Sequence, residues 1–162
     1  MTEPIFDPTY WARRFEAAKQ EHHAVFKCPE DRWLRIEAKH REILQRHVRR
    51  ADSILDVGCG WGRLLSLLPP GWDGYYLGVD LSPTFIEKAR ERYPYRSFEA
   101  HDMREPLQLR VAFDWAVMIS FRPMVLRNAG SPDWCRIEAN VKAKAYKLLY
   151  LEYDEHDEGS VE

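Results

Sequence analysis

Apolar and polar positions along the chain change their period near residue 53. Before that point apolar residues recur at helical spacing; after it, short apolar runs alternate with amphipathic segments. Asp7-Pro8 reads as an N-cap followed by proline at the first helical position, which predicts a helix from residue 8 to about 26. Pro29 opens a second helix, with Trp33, Ile36, Ile43, Leu44 and Val48 as an approximate apolar stripe and a basic end at Arg46, His47, Arg49 and Arg50. Five strands are then predicted over 53–57, 75–80, 96–100, 113–119 and 147–153. Helices are predicted between them over 63–68, 82–93 and 134–146, the second capped by Ser82-Pro83. Strands alternating with helices imply crossover units, hence a doubly wound α/β domain with a mostly parallel sheet and helices on both faces. No repeat or linker divides the chain, so residues 1–162 read as one domain. Residues 1–50 form a helical cover, 51–153 the core and 154–162 an acidic tail.

Composition narrows this picture. Hydrophobic residues at 45% and charged residues at 31% suit a globular domain rather than a disordered or membrane-spanning one. The longest apolar stretches, such as Trp115 to Ile119, are too short to cross a bilayer. Glu3 and Asp7 stand where a signal peptide would be cationic and then apolar, so secretion is not expected. Cys28, Cys59 and Cys135 are widely spaced and odd in number, which fits neither a zinc motif nor a disulfide framework and suits a reducing cytoplasm. His22, His23, His40 and His47 match no metal-ligand spacing, and no metal is expected.

The net charge of −2 disfavours a strongly basic nucleic-acid binder, while leaving a small local patch open. Residues 151–162 contribute Glu152, Asp154, Glu155, Asp157, Glu158 and Glu162 without a Lys or Arg, and read as a solvated tail.

Three of the eight glycines fall within Asp56-Val57-Gly58-Cys59-Gly60-Trp61-Gly62-Arg63, after a strand and before a predicted helix. There they allow a tight turn and let a ligand approach the backbone. Asp80 ends the next strand, where an acid can accept bonds from both ribose hydroxyls, so an adenosine-containing ligand is expected. The dinucleotide fingerprint would need Gly or Ala where Arg63 stands, and the phosphate-loop pattern is absent. Asp56 at the start of the loop suits a cationic ligand better than a pyrophosphate.

The segment 54–63 resembles the first motif of class I S-adenosylmethionine-dependent methyltransferases. Gly78-Val79-Asp80-Leu81-Ser82 is similar to the second, which implies that Asp80 holds the ribose and Leu81 lies on the adenine. Glu99-Ala100-His101-Asp102-Met103 resembles the third, implying Asp102 at the adenine amino group and Met103 against the ring. Phe113 to Met118 resembles the fourth strand, leading to Ser120 and Phe121 beside the methyl donor. Tyr10, Trp11 and Arg14 are similar to an N-terminal segment that folds over the cofactor in small methyltransferases. The resemblance implies a Rossmann-like sheet of order 3-2-1-4-5, S-adenosylmethionine as cofactor, and Asp56, Gly58, Cys59, Gly60 and Gly62 as further cofactor residues.

A sulfonium is already an activated methyl donor, so positioning supplies much of the catalysis, and a base is needed only when the acceptor must lose a proton. Candidates for a catalytic role are His101, Tyr10 and Arg122. The amino-directed (Asn/Asp/Ser)-Pro-Pro-(Tyr/Phe) motif and the Pro-Cys pair of cytosine C5 enzymes are missing, so a small-molecule acceptor is expected, with 8–50 and 121–134 covering the site. Residues 154–162 cannot supply the sixth and seventh strands usual in the family, which leaves the fifth strand at an exposed edge and makes a homodimer through that edge an expectation. Two other readings stay open: a non-catalytic S-adenosylmethionine-binding sensor or partner subunit, and an NAD-dependent enzyme.

Overall fold

The computed structural model describes residues 4–162 apart from 155 and 157, so Glu3, Glu155 and Asp157 lie outside the described residues. Its centre is a six-stranded sheet of order β3-β2-β1-β4-β5-β6. The strands are β1 (Ile54–Val57), β2 (Tyr76–Asp80), β3 (Ser97–Ala100), β4 (Phe113–Ile119), β5 (Ala145–Leu151) and β6 (Ser160–Val161). The first five run parallel, with Leu55 beside Leu77 on one side and Ala116 on the other, and β6 is antiparallel to β5.

Alternation along the central strands separates two apolar layers. Ile54, Trp115, Val117, Leu149 and Leu151 face one way, with α2 (Glu30–His47) and α3 (Pro83–Arg92) packed over them through Ile43, Leu44, Ile86 and Ala89. Leu55, Val57, Ala116, Met118, Leu148 and Tyr150 face the other. That side is covered by α4 (Phe121–Asn128) and α5 (Ser131–Lys142) through Val125, Trp134, Ile137 and Val141. Strands buried on both faces explain the unbroken apolar runs such as Trp115 to Ile119.

α1 (Pro8–Ala17) begins as expected: the Asp7 carboxylate accepts from the Thr9 N–H at 2.9 Å, with Pro8 in the first turn. It stops well short of residue 26. Arg14 Nε donates to the Ala24 carbonyl at 2.8 Å, folding the chain back so that a 3-10 turn, Glu21–Ala24, tucks buried Ala24 beneath the helix. α1 buries no residue completely and is seated by Phe15 against Trp61 and Phe85, at centroid distances of 5.9 and 5.5 Å.

Other departures have equally local causes. The helix expected over 63–68 is only a 3-10 turn, Arg63–Ser66. Pro69 and Pro70 lack the N–H groups that would continue it, and Leu68 is biased away from helix by the proline that follows. α4 was not anticipated; Pro123 falls in its first turn, where a missing donor costs nothing. α5 begins at Ser131 rather than 134, and β5 begins and ends two residues before its expected bounds.

The tail is the largest correction. Its end is exposed, as expected of the tail, but paired: Val161 lies beside Leu149, and Glu162 exchanges both backbone hydrogen bonds with Leu148, at 3.0 and 2.7 Å. The edge of β5 is therefore partly covered from within the chain. Cations on α2 and α5 answer the tail's acids. Glu158 lies 3.0 Å from Lys39, which holds its carboxyl below the usual range, and Glu162 lies 3.3 Å from Lys142. Gly159, at φ +72°, passes so close to α2 that a β-carbon would stand 2.8 Å from Ile43 Cγ2, so only glycine admits the chain here.

Candidate functional site

A cavity of about 500 Å3 opens at the carboxyl ends of the parallel strands, beneath α1 and the segment that follows it. This is where open α/β sheets place their ligands. The glycine loop forms its floor. Gly58 and Cys59 donate backbone N–H bonds to the Val79 carbonyl at 2.8 and 3.0 Å, which fastens the loop to β2. Gly60 borders the cavity at φ +53°, and a β-carbon built there would meet nothing within 4 Å. Its backbone is bare toward the cavity and open to a close approach.

Asp80 shares this floor. Its Oδ2 accepts from the Gly60 N–H and its Oδ1 from the Ser82 N–H, both at 2.9 Å. Burial pushes its carboxyl up to about 6, against the pull of those two donors. Loop, strand end and carboxylate thus form one rigid unit, with Leu81 beside it.

Asp102 and Met103 continue the same wall past β3. The Asp102 carboxylate is engaged by Arg104, at 3.0 Å from Nε and 2.6 Å from a terminal nitrogen. Burial acts to raise its pKa, but those bonds outweigh it and the net shift is downward. Trp11 and Arg14 close the cavity from above, and Ser120 borders it from the end of β4.

Several residues expected at the site stand behind it. Asp56 is 2% exposed and accepts from the Tyr76 hydroxyl at 2.7 Å; burial lifts its carboxyl to about 7, against that hydrogen bond and the Arg63 charge. Cys59 is buried among core residues, its sulfur facing Gly78, and burial pushes its thiol well up. Gly62 abuts Tyr93 and Phe98 on the far side of the loop. The Tyr10 hydroxyl accepts from Arg14 at 2.7 Å, so Tyr10 braces the arginine that borders the cavity.

The three catalytic candidates separate in the same way. His101 is on the cavity wall, its Nε2 2.9 Å from the Glu105 carbonyl. Arg122 turns away, lying over the Trp134 and Tyr150 rings and 3.8 Å from Glu162.

At the far end of the cavity Phe26, Phe121 and Met124 come from the two segments expected to cover the site, whereas Glu152 and Tyr153, which join them, were missed in the sequence. Ser120 is the one non-glycine residue at positive φ, +49°, among the described residues, a strained conformation of the kind that clusters at functional sites. It is held there by three bonds. Its N–H donates to the Leu151 carbonyl at 2.6 Å, and its hydroxyl accepts from the Tyr153 N–H at 2.7 Å and donates to Glu152 Oε2 at 3.2 Å.

The Glu152 carbonyl in turn accepts from Nε2 of His40, a fully buried residue of α2, at 2.5 Å. His40 Nδ1 accepts from Arg63 at 3.2 Å, which fixes the neutral tautomer; burial and the Arg63 charge press its pKa down to about 4. Arg63 completes the set, 3.4 Å from Glu37 and 4.7 Å above the Trp33 ring. No helix is long and apolar enough to cross a membrane, and no group of three or more His, Cys, Asp or Glu is placed to hold a metal, among the described residues.

A cavity at the strand ends of a parallel 3-2-1-4-5 core, floored by a glycine loop and an acid closing β2, has the architecture of the Rossmann-like methyltransferase fold. Residues 54–133 match the family described as "Methyltransferase domain". Among curated proteins, the chain is 43% identical over 63 residues to a demethylmenaquinone methyltransferase of Symbiobacterium thermophilum. That match covers 35% of this chain and 25% of the relative. It is 37% identical over 51 residues to the mRNA cap guanine-N(7) methyltransferase 1 of Arabidopsis thaliana, covering 32% of this chain and 14% of the relative. The chain thus spans a quarter or less of each of these two relatives. Among solved structures, a TehB-like SAM-dependent methyltransferase from Corynebacterium glutamicum has the same fold, with a TM-score of 0.57 and 22% identity over 74% of this chain and 68% of that one.

Proposed function

We propose that this chain binds S-adenosylmethionine in the cavity and transfers its methyl group to a small-molecule acceptor. The observation that carries the reading is the Gly60–Asp80 unit: a bare backbone surface hydrogen-bonded to a carboxylate on the same cavity floor. A nucleoside laid against Gly60 brings its ribose hydroxyls to Asp80, where a carboxylate accepts from both. Met103 and Leu81 offer apolar surface to a purine, and Arg14 stands over the opposite wall. Asp56, Cys59 and Gly62 act from behind, by shaping the loop.

When bound, the cofactor supplies an activated methyl group on positively charged sulfur. The chain's own part is to position and to exclude water: α1 roofs the cavity, and Ser120, Phe121 and Tyr153 shape the end where an acceptor would lie. The likeness to a demethylmenaquinone methyltransferase and a cavity of about 500 Å3, within the range of roughly 300–1,000 Å3 typical of small-ligand sites, support a small acceptor over a polymer.

Calorimetry with S-adenosylmethionine and S-adenosylhomocysteine tests the binding reading; binding that disappears in Asp80→Ala supports it, and a folded wild type that ignores both ligands overturns it. Release of S-adenosylhomocysteine with any acceptor distinguishes an enzyme from a non-catalytic cofactor binder.

A further inference from the structure

The two glycines that floor the cavity do not present the same surface. A β-carbon built at Gly60 would meet nothing within 4 Å. One built at Gly58, at φ +73°, would stand 2.6 Å from Cδ2 and 3.1 Å from Cε2 of Phe121. The Phe121 ring, itself on the cavity wall, thus fills the space beside Gly58 that is bare beside Gly60.

The strand order says which part of a ligand needs that space. Ribose at Asp80 lies on β2, and a base toward Asp102 and Met103 lies past β3. The order 3-2-1-4-5 then carries whatever is attached beyond the ribose over the end of β1, where Gly58 follows Val57, toward β4. We infer that Phe121 is a gate on this half of the floor, a residue that discriminates among nucleosides by what they carry beyond the ribose. It leaves the nucleoside end open and must swing off Gly58 before the amino-acid tail of the cofactor can be seated. This inference rests on the cofactor reading proposed above.

The segment that carries the ring has joints at both ends. Ser120, just before α4, is at φ +49°. Gly130, just after it, is at φ +83° and ψ −178°, a region open to glycine alone. Between them α4 buries Val125 and leaves its other residues partly or fully exposed. Hinges are residues of this kind, at the ends of elements, where a change of φ and ψ is absorbed. A return of Ser120 to ordinary negative φ turns the chain directly before Phe121 and releases backbone strain as the ring leaves Gly58.

Closure has its own support. The ring packs against the layer formed by Leu55 and Val57, and Ser120 keeps its bonds to Leu151, Glu152 and Tyr153. Strain favours opening while packing and hydrogen bonds favour closure, so the gate is an equilibrium rather than a fixed wall. A protein whose binding-competent state is the minor one shows an affinity reduced by that fraction. Only ligands that need the space beside Gly58 bear this reduction. Pro123 and Met124 line the cavity from the same helix, so the acceptor end takes its shape together with the seating of the tail.

Calorimetry with adenosine, which ends at the ribose, and S-adenosylhomocysteine, which adds the tail, tests the gate. For an open state populated at about 10%, Phe121→Ala should bind S-adenosylhomocysteine about tenfold more tightly than wild type, with adenosine affinity within about twofold. A ring that merely packs beside the ligand gives the reverse sign, a loss of S-adenosylhomocysteine affinity on truncation. Where Phe121→Ala does not unfold cooperatively, Phe121→Leu takes its place and should show a smaller gain in the same direction. S-adenosylhomocysteine affinity that is unchanged or falls, or that moves together with adenosine affinity, overturns the inference. So does a wild type that binds S-adenosylhomocysteine but not adenosine, because the affinity then lies in the tail. A wild type that binds neither ligand is read first and separately, and removes the cofactor reading along with the inference.

Discussion

The two ends of the cavity are built differently. At the end proposed for the nucleoside, Gly58, Gly60, Asp80 and Ser82 come from one β1–loop–β2 stretch, and each bond that fixes them there is donated by a backbone N–H. At the other end, Ser120, Glu152, His40 and Arg63 come from four separate parts of the chain, and every bond between them uses at least one side chain. Local chain geometry makes the first end; tertiary packing makes the second. The first should therefore fail through its backbone and the second through its partners.

The sharpest break is Gly60→Val. A β-branched residue at φ +53° is strained, and its side chain projects into the cavity that the bare backbone leaves open. Binding of S-adenosylhomocysteine should fall below calorimetric detection while thermal unfolding stays cooperative.

Asp56 probes the same end through pH. Its folded pKa of about 7 lies above its ordinary value of 3.8, so the folded state holds a proton that the unfolded state has lost between those limits. The stability associated with this group is present below pH 4 and lost as pH rises through 7. Asp56→Asn should thus be more stable than wild type by on the order of 3 kcal/mol at pH 8, with the difference vanishing towards pH 4, measured by denaturant unfolding.

The packed end titrates in the opposite sense. His40, with a folded pKa of about 4 against an ordinary 6.5, contributes stability above pH 6.5 that is lost as pH falls towards 4. Arg63→Ala strips the donor from His40 Nδ1 and the cation from the Trp33 face, at a cost of about 2 kcal/mol at pH 7. It should also flatten the acid-side loss, since one of the two influences holding that pKa down is gone.

The smallest effect belongs to β6. Removing residues 159–162 deletes one two-residue pairing and its ion pairs, for about 1 kcal/mol. It also uncovers the edge of β5, and light scattering should show a rise in average mass from edge pairing.

This contrast also explains what the sequence disclosed. Five parallel strands, their order, the glycine loop and Asp80 were legible because each is written in neighbouring residues: β-branched runs, a glycine cluster, an acid closing a strand. Glu152 was counted with the tail acids because nothing beside it in the chain foretells a buried histidine more than a hundred residues earlier. β6 was hidden for a related reason, the flanking acids Glu158 and Glu162 being matched by lysines on α2 and α5. The turn Arg63–Ser66 was expected as a helix over 63–68, because the Pro69-Pro70 pair that stops it lies beyond that segment and was not weighed.

That short turn bears on ligand choice. Four residues of 3-10 helix beneath Gly62 align few peptide dipoles, so the loop lacks the positive pole that a full helix would present to a pyrophosphate. Asp56 and Asp80, both raised by burial, stand close by as the acidic groups of the loop. Under the proposed function such a floor suits a sulfonium better than a pyrophosphate, and the Pro-Pro pair shapes it by keeping the turn short although neither proline borders the cavity wall.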